Sequence, residues 1–180
     1  MTPTPSESIT LRRVHALDEP LILGLAQVLC DCVEGGASVS FMQPLSPERA
    51  AAFWRDVALG VAGGERALMV AEDAQGTVVG TVQLVLAQPE NQPHRADVAK
   101  MLVHRRARRQ GVAALLLHAA ETEAAREGKS LLVLDTVTGG DAERLYARLG
   151  WQRCGEIPGY ALWPEGGLCG TTIFFKALPA

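Results

Sequence analysis

The sequence predicts a mixed α/β domain, a central sheet of about seven mostly antiparallel strands with helices on both faces. Three observations carry that expectation. Apolar residues make up 48% of 180 and charged ones 21%, a globular composition in a chain long enough to bury one substantial core. Hydrophobic periodicity switches repeatedly between helix and strand spacing, in the order β-α-α-β-β-β-α-β-α-β-β. Glycine pairs fall just where the helical periodicities end.

The proline-bearing residues 1–9 read as a flexible tail, and residues 10–180 as one domain. "SITLRRV" begins the sheet. "EPLILGLAQVLCDCVE" places Leu21, Leu25, Val28, Leu29 and Cys32 on one helical face and stops at "GGAS". The next helix starts with Ser46 as N-cap, Pro47 in its first position and Glu48 in its first turn. "RALMVAED" and "TVVGTVQLVLA", joined by "AQG", form a hairpin. "RADVAKMLVH" is the fourth strand. A helix over residues 110–127 comes next, with Ala113, Leu116, Leu117, Ala120 and Ala124 in one stripe. "SLLVLDTV" is a buried strand and "GDAERLYARLG" a short helix. "WQRCGEI" and "TTIFFKAL" complete the sheet.

The charge balance, -3 with histidines neutral, excludes a protein whose main work is holding nucleic acid, and aromatics at 5% offer few stacking platforms. No stretch is apolar enough to cross a membrane, and the N-terminus lacks a secretory pattern, so a cytoplasmic protein is expected. Cys30, Cys32, Cys154 and Cys169 have no metal-ligand rhythm; reduced, packed thiols and no metal are expected.

One basic cluster interrupts this mildly acidic chain. "RRQGVA", residues 108–113, lies between a strand and a helix. The first turn of a helix has backbone N–H groups without intrahelical partners and a positive dipole end, so it suits an anion. Gly111 lets a diphosphate approach the main chain. The alternative is a solvated basic turn. Neither the P-loop pattern nor the dinucleotide-binding glycine fingerprint is present.

"MLVHRRARRQGVA" resembles the acetyl-CoA motif of the GNAT N-acetyltransferases, with Arg108, Gly111 and Ala113 at the motif positions. "AERLYARLGW" is similar to a second family segment through Ala142, Leu145, Tyr146, Gly150 and Trp151. "EGGASVSFMQPL", "DVAKMLV", "LLVLDT" and "GEIPGYALWPEGGL" together resemble the tabtoxin-resistance acetyltransferase group. Arg105 stands where many members have proline, and Ala113 where many have glycine.

The resemblance implies direct acetyl transfer from acetyl-CoA to a small-molecule amine, by a monomer or homodimer. It places the pyrophosphate on the backbone N–H groups of Arg109, Gln110, Gly111, Val112, Ala113 and Ala114, with Arg108 also at the cofactor and the arginine side chains adding charge. It places the pantetheine arm along Met101, Leu102 and Val103, through the exposed edge of a splayed strand. Tyr146 is the candidate acid for the leaving thiolate, against a core tyrosine with a satisfied hydroxyl. Asp135, closing a buried strand, and Asp97 are rival bases; their plain alternatives are a loop anchor and a water-facing charge. Glu34, Ser38 and Ser40 are candidate acceptor contacts, while Phe41 and Met42 are expected to pack inward. A non-catalytic acyl-CoA sensor and a protein N-acetyltransferase are the alternative functions.

Overall fold

The computed structural model describes residues 9–179, so the tail expected over residues 1–9 lies, apart from Ile9, outside the described residues. Seven strands form one sheet in the order β1-β2-β3-β4-β5-β7-β6. They are β1 (Thr10–Val14), β2 (Arg66–Glu72), β3 (Val78–Val85), β4 (Arg95–Val103), β5 (Leu131–Val137), β6 (Gln152–Leu162) and β7 (Leu168–Ala177). Every pairing is antiparallel except β4 with β5.

Four α-helices cover both faces: α1 (Glu19–Glu34), α2 (Pro47–Ala62), α3 (Val112–Arg126) and α4 (Asp141–Arg148). Asp18 caps α1 by accepting the Leu21 N–H at 3.0 Å, and Ser46 caps α2 by accepting that of Arg49 at 3.2 Å. The predicted stripe of α1 is buried, and with α2 and its wholly enclosed Trp54 it packs on Leu68, Val70 and Leu102. The other face carries α3, through Leu116, Leu117, Ala120 and Ala124, and Tyr146 of α4. These pack on Met69, Val82, Leu84, Leu132 and Phe174. Alternation along each strand therefore sorts side chains between two separate cores.

Four details differ from the sequence reading. α3 begins at Val112, because Arg109 and Gly111 are left-handed, with φ of 62° and 79°. A one-turn 3₁₀ helix, Arg105–Ala107, precedes that turn. β6 extends to Leu162 and β7 starts at Leu168, making a longer closing hairpin. β6 tolerates Pro158 because it is the sheet's edge and its register with β7 shifts between Ile157 and Ala161. Finally, Cys154 is exposed on that edge strand and Met42 is 40% exposed, whereas Cys32, Cys169 and Phe41 pack inward as expected.

Two irregularities in β4 open the middle of the sheet. Leu102 lies opposite Thr81 of β3 but Ala99 lies opposite Gln83, so β4 carries an extra residue, a bulge at residues 100–101. On its other side, β4 pairs with β5 only at Arg95↔Leu131, Ala96↔Leu132 and Asp97↔Val133. Beyond Asp97 the two strands separate, and the β5-facing edge of β4 is left open.

Candidate active site

The turn before α3 is built to hold an anion. The first helical bond runs from Leu115 N to Gly111 O at 3.1 Å, and the backbone N–H groups of residues 109–114 donate to no described protein atom. Arg108 is extended, and left-handed residues at 109 and 111 break any helical spiral before α3, which leaves these N–H groups without carbonyl partners. No side chain caps α3, and a Cβ placed on Gly111 meets nothing within 4 Å. These donors and the helix dipole fit a pyrophosphate.

The arginines serve it less than expected. Arg105 is bound to Asp31 and Glu34, Arg106 Nη2 reaches Asp73 at 2.8 Å, and Arg108 Nε turns back onto Val103 O at 3.3 Å. Among the described residues only Arg109 of the cluster keeps its guanidinium free of such a contact. Three of the four arginines are committed because carboxylates of α1 and the β2–β3 turn, or the end of β4, lie within reach.

The separation of β4 from β5 opens a cleft of about 330 Å³, lined by Asp97, Ala99, Val133, Asp135, Tyr160 and Thr171, among others. It lies on the α1/α2 side of the sheet, since Asp97 stands opposite Val133 and Asp135 comes two residues later on the same face. The two carboxylates differ. Asp97 is ion-paired to Arg95 and accepts from Gln88 Nε2 at 3.2 Å. Asp135 accepts one hydrogen bond, from Thr171 Oγ1 at 2.9 Å, and has no cation within ion-pair range among the described residues.

Tyr146 approaches from the opposite face. Its ring packs edge-on to Trp151, centroids 5.8 Å apart, and tilted against Phe174 at 5.9 Å. Tyr146 is 5% exposed and its ring belongs to the core on that face, while its hydroxyl has no described hydrogen-bond partner. Burial, and then the Asp135 charge, push the phenol well above its ordinary value, which keeps it a proton donor.

The sequence profile of the acetyltransferase (GNAT) family matches residues 36–151. The chain belongs to the GNAT acetyltransferase family. Members take acetyl-CoA as acyl donor, and among the described residues no group of three potential ligands could hold a metal. A GNAT N-acetyltransferase from Kribbella flavida is 24% identical, with TM-score 0.77 over 94% of this chain and 98% of its own. A Salmonella typhimurium protein solved with its cofactor acetyl-CoA is 19% identical, with TM-score 0.75 over 95% and 94%. An N-acetyltransferase from Staphylococcus aureus Mu50 is 16% identical, with TM-score 0.78 over 96% and 99%. At such identities the likeness is one of fold.

In this GNAT chain the candidate acceptor contacts are dispersed. Glu34 is held by Arg105 at 2.7 Å and borders a separate surface depression with Cys30, Gln43 and Glu165. Ser38 hooks the α1–α2 connection to the closing hairpin, donating to Leu162 O at 2.8 Å. Only Ser40 is tied to β4, accepting from Lys100 Nζ at 3.1 Å. Met101 belongs to the bulge and Val103 lies past it, with Leu102 buried between them, and the Val103 carbonyl is occupied by Arg108.

Three residues of this region escaped the sequence reading. Tyr160 and Thr171 come from β6 and β7, far along the chain, and nothing local marks them. Lys100 carried a signal: strict alternation would place it with Ala96, Val98 and Leu102, all buried. A lysine in that series means either a buried charge or a break in register, and the bulge is that break.

Proposed function

We propose that this GNAT enzyme acetylates a small-molecule amine by direct transfer within a ternary complex. The observation that carries the reading is the opening between β4 and β5, which joins two unlike surfaces. On one side stand the free N–H groups of residues 109–114 and the Tyr146 hydroxyl, suited to the donor; on the other stand Asp97 and Asp135, suited to a cationic amine.

The residues divide the work accordingly. Main-chain N–H groups of Arg109, Gln110, Gly111, Val112, Ala113 and Ala114 hold the pyrophosphate, and the open edge of β4 from Met101 orients the pantetheine arm. Asp135, directly or through water, takes a proton from the acceptor amine. The amine nitrogen then attacks the thioester carbonyl; the C–N bond forms, the nitrogen gives up its second proton to solvent, the C–S bond breaks, and Tyr146 protonates the departing thiolate. Solvent restores the phenol. Asp97, already neutralised by Arg95, positions the acceptor.

The resemblance to the tabtoxin-resistance group favours a small acceptor over a protein chain, an amino-acid-like toxin or antibiotic. The test is to follow thiol release from acetyl-CoA against a panel of small amines and N-terminal peptides. Turnover with small amines supports the reading. Turnover only with peptides reassigns the acceptor, and tight acetyl-CoA binding without any turnover makes the protein a sensor.

A further inference from the structure

Among the described residues, three non-glycines have a left-handed backbone: Ser40 at φ 77°, Lys100 at 49° and Arg109 at 62°. Such conformations persist only where the surroundings impose them, and they collect at ligand sites. Arg109 belongs to the turn before α3. The other two, from the α1–α2 connection and the β4 bulge, are joined to each other through the Lys100 Nζ–Ser40 Oγ hydrogen bond of 3.1 Å. Two unfavourable backbone conformations thus converge on one ammonium group.

That ammonium is poorly matched within the protein. Lys129 Nζ donates to two carbonyls, Leu86 O and Pro93 O, and Lys176 Nζ to Glu121 and Leu149 O. Lys100 has one neutral hydroxyl, with the Phe53 ring centroid 5.7 Å away. No described carboxylate lies within ion-pair range of it, although the group is partly buried. Burial lowers its proton affinity; the Asp135 charge opposes that, and Arg66 reinforces it. A lysine has three donors, so at least two remain for a ligand. Its neighbour Ala99 lines the cleft that holds Asp97 and Asp135.

We propose that Lys100 binds a carboxylate of the acceptor, so that this site takes an amino-acid-like zwitterion rather than a plain amine. The inference rests on reading the cleft as the acceptor site. Asp135 and Asp97 then face the cationic nitrogen, and Lys100 faces the anionic end. Ser40 and Phe53 hold the ammonium in place, while the bulge sets its direction.

The test compares matched acceptors, lysine, ornithine and methionine against their C-terminal amides, in steady-state kinetics of the full chain with saturating acetyl-CoA. Wild type is expected to favour the free acids by on the order of tenfold or more in kcat/KM, expressed mainly in KM. Lys100→Met should erase that preference, and Lys100→Arg should restore much of it, with acetyl-CoA affinity by calorimetry unchanged as a check on folding. Indifference of wild type to the carboxylate overturns the inference while leaving small-amine acetylation intact, and this arm needs no variant. A Lys100→Met enzyme that loses kcat equally on acids and amides, with its basic rate limb moved, also overturns it and makes Lys100 a base. If no acceptor in either series turns over but peptides do, the acceptor reading itself fails and the inference falls with it.

Discussion

Tyr146 has a ring packed in the core and a hydroxyl without a described partner. The ring is packed against Trp151 and Phe174, so Tyr146→Phe should keep the fold and the acetyl-CoA affinity. Turnover should fall on the order of 10²-fold, the worth of a positioned general acid; unchanged turnover on every acceptor would leave the residue to packing. Because burial and Asp135 raise its proton affinity, the phenol stays protonated beyond its ordinary value of 10.0. Neither the rate nor the stability it supports should therefore decline through its ionisation below about pH 10. For the carboxylates, Asp135→Asn should lower kcat/KM more than Asp97→Asn, and only the former should remove an acidic limb from the rate profile. Asp97 is already ion-paired to Arg95 and hydrogen-bonded by Gln88, whereas Asp135 accepts only from Thr171. The opposite ranking in a pH–rate series would exchange their roles. At this scale the sequence was partly informative. Tyr146 and Asp135 stood out through their place in recognisable segments. Glu34 and Ser38 did not reveal that Arg105 and Leu162 O would engage them, because those partners lie 71 and 124 residues away.

At the scale of elements, the strand–turn–helix from β4 to α3 shows why the turn was legible. Its glycine, its lack of a capping side chain and the missing first-turn acceptors are consequences of local sequence. Gly111→Val should therefore weaken acetyl-CoA binding by at least tenfold in calorimetry, since a branched side chain at φ 79° strains the turn and disperses its N–H groups. Wild-type affinity in that variant would place the pyrophosphate elsewhere. The β4 bulge was not legible in the same way. It depends on the register with β3, a long-range property, and only Lys100 interrupting a buried series hinted at it. The closing hairpin was underestimated for a related reason: the expected strand stopped at Ile157, before Pro158 and Gly159, but an edge strand accommodates both.

Over the whole molecule, element order, sheet membership and the two helical faces were legible from periodicity, because each strand and helix carries its own apolar pattern. What ties the α1/α2 layer to the turn before α3 is electrostatic. Asp31 at the end of α1 accepts from the Arg105 N–H at 2.7 Å and from Arg105 Nε at 2.9 Å. Burial disfavours its charge, but these bonds and the His104 and Arg105 charges outweigh that and hold the carboxyl below its usual range. A depressed folded value means stability that is full above the ordinary value of 3.8 and lost as pH falls through the folded one. Asp31→Asn should thus cost about 1–2 kcal/mol in urea unfolding at pH 7, with the gap closing as pH falls below 3.8; a constant gap would mean the charge contributes nothing. The same division between main chain and side chain governs how such an enzyme can diversify. On the proposed reading the phosphate grip of residues 109–114 would be made of peptide groups, which every residue supplies, with its main demand on identity at Gly111. The wall of the β4–β5 cleft carries Asp97, Asp135, Tyr160 and Thr171, where a single codon change alters charge or shape. Mutation can therefore rewrite what is acetylated while the handle for the donor is inherited intact, and a randomised library should draw its positions from that wall.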